Sequence, residues 1–205
     1  NQNITEYMPV REGYTFSGWY SDFTLTTPYA FGTMPAVDVL LYGKWTINQY
    51  NITFIENQGT TVNDIVNQDY GTNIAYPTTS RTGYTFDGWY LDNEIFLQPF
   101  TSTTIISSDI TLYAKWNINQ YTITFDSNGG SLVESLTQDY ATTVIQPNDP
   151  TRQGYTFGGW YSDSSLTNAY TFTTMPAQNI TLYAKWNPKI IIVNYVLNNG
   201  TDDLV

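Results

Sequence analysis

The chain has 205 residues, 41% of them apolar, and is therefore long and apolar enough to bury a hydrophobic core. It contains no histidine and no cysteine, which excludes thiolate nucleophiles, imidazole bases, disulfides and the common zinc sites. The net charge of −11 disfavours nucleic acids and anionic membranes as partners, and the longest aliphatic run, residues 190–193, is too short for membrane insertion, which takes roughly 20 apolar residues.

An internal repeat organises the chain. The motif Gly-Tyr-Thr-Phe-x-Gly-Trp-Tyr starts three times, at spacings of 70 and 71 residues, at Gly13, Gly83 and Gly154. A second motif, Leu-Tyr-(Ala/Gly)-Lys-Trp, follows each copy and starts at Leu41, Leu112 and Leu182. In chain order the pattern predicts the C-terminal part of a repeat at 1–46, complete repeats at 47–116 and 117–186, and the start of a further repeat at 187–205.

Each complete repeat is predicted to open with a β-hairpin. Residues 121–125, Tyr-Thr-Ile-Thr-Phe, are β-branched and aromatic, and they lead into a turn at Asn128-Gly-Gly. Residues 131–140 then fit a second strand. Two prolines, Pro147 and Pro150, interrupt regular structure after it, and a short helical turn fits residues 141–149.

The closing strand is the clearest element of the repeat. A period of two over residues 180–186 places one set of side chains on one face: Ile180, Leu182, Ala184 and Trp186. No segment keeps a helical period of 3.6 over a dozen residues. The residues therefore predict a sheet-dominated unit of about 70 residues.

Taken together and in order, these markers resemble the internalin B-repeat family, also called the Listeria-Bacteroides repeat. The resemblance implies a β-rich α+β fold: tandem β-grasp-like domains with a curved sheet and at most a short helix. It also implies bacterial surface proteins without catalytic residues. One turn departs from the family pattern, because Glu56-Asn-Gln-Gly59 stands where the next repeat has Asp126-Ser-Asn-Gly-Gly130. We expect that turn to differ in shape or length.

Aromatic residues are the main candidates for binding. Indole rings can stack on sugars, but a small unit without disulfides also needs large aromatic residues in its core, and the core interpretation is favoured. Among the segments that differ most between repeats is 91–100. Together with Trp89, which precedes it, this segment supplies the candidate binding residues: Trp89, Asp92, Ile95, Phe96 and Leu97.

Three other chemistries match parts of the sequence less well. The recurrent lysines (Lys44, Lys115 and Lys185) suggest isopeptide crosslinks, although a lysine lying along an aromatic ring is favoured. The turn at 126–130 resembles the start of a calcium loop, but Thr137 stands where such a loop has its closing glutamate. Paired carboxylates remain conceivable as a glycosidase site. We expect no catalytic residue, metal or cofactor.

The favoured function is a non-enzymatic extracellular shaft on a bacterial surface: a stalk, fibre or adhesin segment. Linkers of four residues, 46–49 and 117–120, predict a semi-rigid rod. The alternative is an adhesion module that binds a glycan or a surface protein.

The expected partners are other repeats. By the repeat spacing, the first unit lacks its opening strands, and residues 193 and 195 align with residues 123 and 125. We expect either adjoining parts of a longer chain, which is favoured, or the C-terminal strand of a neighbouring copy to complete the end units.

Overall fold

The computed structural model describes residues 2–101, 106–196 and 202–203, and this part of the chain is built from β-strands alone. The strands in chain order are β1 Tyr14–Tyr20, β2 Tyr42–Ile47, β3 Gln49–Ile55, β4 Ile65–Asp69, β5 Tyr84–Tyr90, β6 Ile110–Ile118, β7 Gln120–Asp126, β8 Leu136–Asp139, β9 Tyr155–Tyr161, β10 Ile180–Pro188, β11 Tyr195–Val196 and β12 Asp202–Asp203. The predicted β-rich repeat architecture is confirmed.

The helical turn expected at residues 141–149 is not formed. The backbone there is extended, and the N–H of Val144 donates to the carbonyl of Thr173 over 2.9 Å. Thr143 also forms an isolated β-bridge with Thr174. A helix would have to break these long-range bonds, and Pro147 shortens the stretch available for one. The described residues therefore contain no helical component.

Each complete repeat forms a four-stranded mixed sheet with the same strand order. The two sheets are β4-β3-β6-β5 and β8-β7-β10-β9. Their central strands run parallel, with Ile52 opposite Ile110 in one sheet and Ile123 opposite Ile180 in the other. Parallel neighbours need a long crossover, and here it carries the other two strands and the loops between them.

The cores lie on one face of these sheets. In the first complete repeat the buried cluster is centred on Ile52, Phe54, Trp89, Leu112 and Ala114. In the second it is centred on Ile123, Phe125, Trp160, Leu182 and Ala184. Ile180 and Trp186 pack against the second cluster, so the predicted alternation of the closing strand is confirmed.

The described residues fall into two compact units. The first lies within 1–81 and 86–117, and it contains the two-stranded sheet β1–β2 together with most of the sheet around β3. The second lies within 82–85 and 118–205, and it contains the sheet around β7. The repeat boundaries at 46, 116 and 186 stay a prediction.

Candidate functional site

Trp89, the first predicted binding residue, lies in the core. Its side chain is 3% exposed and its ring centroid is 4.6 Å from that of Phe54. The indole Nε1–H donates to the carbonyl of Pro77 over 2.8 Å. This arrangement holds the ring inside the repeat and leaves no open face on which a sugar could stack.

Asp92 closes the loop that follows β5. Its carboxylate accepts hydrogen bonds from the backbone N–H groups of Leu97, at 3.1 Å, and Gln98, at 3.0 Å. Burial by itself would raise the pKa of Asp92, but these bonds and one from the Phe96 N–H outweigh burial and lower that pKa. The carboxylate is therefore ionised, and it joins the two sides of the loop; we call this arrangement the clamp.

The same clamp recurs in the other two copies of the loop. The Asp22 carboxylate accepts from the Thr24 hydroxyl first of all, and this bond lowers the pKa of Asp22 well below its usual range. Asp163 has a similarly lowered pKa, chiefly because of the Ser165 hydroxyl. The signal for this role in the sequence is an aspartate two residues after each Gly-Trp-Tyr motif, because acidic residues at fixed repeat positions are typical of turns.

The remaining three candidates lie at the tip of the loop. Ile95 and Leu97 are 69% and 74% exposed, whereas the ring of Phe96 makes an edge contact with Tyr90 at 5.5 Å. Phe96 has φ of 49°, a left-handed conformation that the loop also imposes on Leu25 and Leu166. The structure thus brings Phe96 to Tyr90 and leaves two aliphatic side chains in solvent, with Trp89 in the core. A binding role for these residues stays a prediction.

The recurrent lysines lie along tyrosine rings. Lys115 Nζ is 5.0 Å from the ring centroid of Tyr90 and forms an ion pair with Asp87 at 2.8 Å. The Asp87 carboxylate first, and then the Tyr90 hydroxyl, raises the pKa of Lys115. Both partners of this ion pair are about one-third exposed, so the lysine remains charged and hydrated. A charged amine is a poor nucleophile for a crosslink.

The opening turns have the same shape despite different sequences, so the expectation that they differ is wrong. Gly59 and Gly130 each donate an N–H at 3.0 Å to the carbonyl three residues earlier. Gln58, with φ of 73°, takes the place of Gly129, with φ of 81°. The long side chain thus accepts the conformation that glycine adopts without strain.

Side chains tie each turn to the closing strand. The Asn128 amide donates to the carbonyl of Ala184, and the Trp186 indole donates to that of Ser127, each over 2.8 Å. The Asp126 carboxylate, a candidate calcium ligand in the sequence, accepts the N–H of Asn128 at 2.9 Å and so stabilises the turn. Within the described residues, no group of three or more carboxylates is placed to hold a metal ion.

Comparisons with known proteins agree with the repeat pattern. The family model of the Listeria-Bacteroides repeat domain matches residues 1–44, 50–115 and 121–185. Internalin H of Listeria monocytogenes is 39% identical over 137 residues, which cover 62% of this chain and 25% of that protein.

Two further relatives come from Evansella cellulosilytica. One, named as a Gly-rich membrane protein, is 39% identical over 202 residues, 97% of this chain and 23% of that protein. The other, named as a membrane protein, is 38% identical over 190 residues, 91% of this chain and 28% of that protein. The chain therefore spans about a quarter of the length of the curated relatives it matches. In the part of this chain that the structure describes, no helix is long and apolar enough to cross a bilayer.

Proposed function

Because the chain belongs to the Listeria-Bacteroides repeat family, we propose that it is a non-enzymatic structural segment, a stalk or adhesin shaft, of an extracellular bacterial surface protein. The observation that carries the proposal is that the side chains that could bind or react with a ligand instead make hydrogen bonds and ring contacts inside the repeat, and that they do so in successive repeats. The loop aspartates accept backbone N–H groups, the indoles of Trp116 and Trp186 donate to turn carbonyls, and the lysines lie over tyrosine rings.

The joints between repeats support a shaft. In the first unit, β2 ends at Ile47 and β3 begins at Gln49, and the N–H of Asn48 donates to the carbonyl of Gly13 over 2.9 Å. The ring of Tyr70 lies so close to Gly13 that an added Cβ would be 1.9 Å from it. The linker is therefore one residue long rather than the expected four, because residues 46, 47 and 49 belong to the strands. With a packed ring beside it, the linker allows little independent motion.

The second unit contains a matching set of contacts. Asn119 donates its N–H to the carbonyl of Gly83 over 2.9 Å, and the Thr85 hydroxyl donates to the Asn119 side chain over 2.6 Å. The Tyr140 ring lies 2.1 Å from where a Cβ on Gly83 would stand. The same hydrogen bond and the same packed tyrosine ring thus occur at both joints, as expected of a shaft in which each repeat contacts its neighbour in the same way.

The finer fold assignment is also a proposal. A strand order with two parallel central strands and antiparallel outer strands is compatible with a β-grasp-like unit in which the crossover carries no helix among the described residues. Surface localisation rests on relatives named as membrane proteins and on Internalin H.

Small-angle X-ray scattering of the chain tests the shaft. Semi-rigid joints predict an elongated particle to which each complete repeat adds roughly 30 Å. Replacing Tyr70 or Tyr140 by Ala should shorten the mean end-to-end distance by loosening one joint, while a surface control, Val66→Ala, should leave it unchanged. A compact globule, or equal profiles for all variants, would refute the proposal.

A second function, adhesion, is favoured by one loop. The loop after β5 is one residue longer than its two counterparts, and it carries exposed Ile95 and Leu97 where the copy after Asp163 has Ser165 and Thr167. This pair of exposed aliphatic side chains, at positions that are polar in the other copy, is the observation that favours contact with a protein or glycan.

The double change Ile95→Ser and Leu97→Thr tests adhesion against the shaft, since it converts this loop to the chemistry of its neighbour while Trp89 stays in the core. Loss of binding on a glycan array or to a surface-protein panel, with unchanged circular dichroism, would support adhesion. Binding that is absent in both proteins, or equal in both, would contradict it.

A further inference from the structure

We infer that each complete repeat bears tension, because its first and last strands pair in a direction that resists being pulled apart. The paired residues, which we call the shear ladder, are 52–55 with 110–113 in the first complete repeat and 123–126 with 180–183 in the second. The inference deepens the proposed shaft, on which the role in bearing tension rests, because a shaft that resists bending does not for that reason resist stretching.

Tension along the chain reaches a repeat through its first and last strands. Strand β3 begins at Gln49, one residue after β2 ends, and β6 ends at Ile118, one residue before β7 begins. A pull that is transmitted along the backbone is therefore applied to the start of β3 and to the end of β6. In the second complete repeat the corresponding points are the start of β7 and the end of β10.

The parallel pairing of these strands decides how the pull acts. In a parallel pair, the start of one strand and the end of the other lie at opposite ends of the ladder, so pulling them slides the strands past each other along their axes. The ladder from Ile52 opposite Ile110 to Ile55 opposite Tyr113 is then loaded as a whole. In an antiparallel pair the same two ends would lie side by side, and the pairs would open one after another.

The core shelters the shear ladder from water. Ile52 and Leu112 are 0% exposed and Phe54 is 4% exposed, and in the second complete repeat Ile123 and Leu182 are 0% exposed. A hydrogen bond in such surroundings is costly to break, since no water molecule replaces the lost partner as the strands begin to slide.

Side-chain hydrogen bonds join the same two segments at both ends of the ladder. In the first complete repeat the Asp109 carboxylate accepts the N–H of Asn51 over 2.8 Å. At the other end the Asn57 amide donates to the carbonyl of Ala114 over 2.9 Å, and the Trp116 indole donates to a turn carbonyl over 2.8 Å. Sliding of β3 past β6 must break these bonds together with the ladder.

The second complete repeat has the same set of bonds. Asn179 accepts the N–H of Thr122, the Asn128 amide donates to the carbonyl of Ala184, and the Trp186 indole donates to a turn carbonyl, each over 2.8 Å. The bonds that cross the shear ladder thus recur in both complete repeats, as expected if each of them carries the same load.

Force spectroscopy of the full chain at constant force tests the inference by changing only the direction of pulling. The chain has no cysteine, so introduced cysteines provide unique attachment points. Thr46→Cys with Asn117→Cys pulls the first complete repeat in shear. Thr46→Cys with Ser108→Cys pulls the same strands from one end of the ladder, and all three positions are exposed. At equal force, unfolding should be at least about tenfold slower in shear.

A pair of aspartates tests the bonds at the ends of the ladder. Asp109→Ala should speed unfolding in shear by about fivefold or more, because it removes a charged acceptor that joins the two segments. Asp64→Ala is the matched control, because Asp64 accepts the N–H of Phe54 over 2.9 Å within the opening hairpin, which stays paired as β3 slides past β6. Its rate of unfolding in shear should be unchanged.

Two results would overturn the inference. The first is unfolding that is as fast in shear as it is from one end of the ladder. The second is an equal change of the rate in Asp109→Ala and Asp64→Ala. An elongated particle in scattering that gives either result would refute the shear ladder and leave the shaft, whereas a compact particle would refute the shaft and with it the role in bearing tension.

Discussion

Trp89→Phe should destabilise its repeat more than Trp160→Phe destabilises the next one. The two indoles occupy equivalent positions, 3% and 2% exposed, and their packing is closely similar. Trp89 lies 4.6 Å from Phe54 and Trp160 lies 4.9 Å from Phe125, between ring centroids. The cavity left by each substitution is therefore nearly the same.

The hydrogen bonds differ. The Nε1–H of Trp89 donates to Pro77 over 2.8 Å, whereas the buried Nε1–H of Trp160 has no partner among the described residues. Trp89→Phe loses a hydrogen bond worth about 1 kcal/mol, and Trp160→Phe removes an unpaired donor whose burial costs about 1 kcal/mol or more. The difference in unfolding free energy between the variants should thus be about 2 kcal/mol.

Native-state hydrogen exchange measures this difference, because it reports each repeat separately. The readouts are the amides of β6 for Trp89→Phe and of β10 for Trp160→Phe, each compared with the unchanged chain. The repeat that is not mutated serves as the internal control. Equal losses of protection, or a larger loss for Trp160→Phe, would refute the claim that the Trp89 indole is stabilised by a hydrogen bond that the Trp160 indole lacks.

Gly83→Ala should cost about 3 kcal/mol in urea denaturation and Gly154→Ala about 1 kcal/mol, because both have φ near +80° but only the Cβ at residue 83 meets a ring. Equal costs would contradict the packed joint. Stability followed by circular dichroism should be flat from about pH 5.5 to 8.5 and fall below about pH 4. Stability falls at low pH because folding lowers the pKa of Asp22, Asp92 and Asp163. Their contribution to the free energy of unfolding is therefore complete above the unfolded pKa of 3.8 and is lost as the pH falls through the folded pKa. A transition near pH 6.5 would reveal an unrecognised buried acid. The intact mass should equal the sequence mass because Lys115 and Asp87 form an ion pair, and loss of one water would show a crosslink instead.

The sequence by itself determined the repeat and the strand chemistry. The spacing of Gly13, Gly83 and Gly154 gives the period, and side chains that alternate along residues 180–186 identify a half-buried strand. These are local properties, since a period of two places the inward side chains on one face whatever the strand pairs with. The core role of the tryptophans also followed from the needs of a small unit.

Non-local contacts decided the rest. Residues 141–149 are extended because Val144 pairs with Thr173, a partner that local propensity does not reveal. Gln58 adopts a glycine-like conformation because the turn is anchored by the Trp116 indole, which donates to the carbonyl of Glu56 over 2.8 Å.

The candidate site shows the same division. The variable segment 91–100 was visible in the sequence, but the carbonyl that Trp89 binds and the N–H groups that Asp92 binds were not. The parallel pairing of Ile52 with Ile110 joins residues far apart in the chain. Only the tertiary structure settles such pairings, because the free energy of closing a long loop is repaid by contacts that exist only once the sheet has formed.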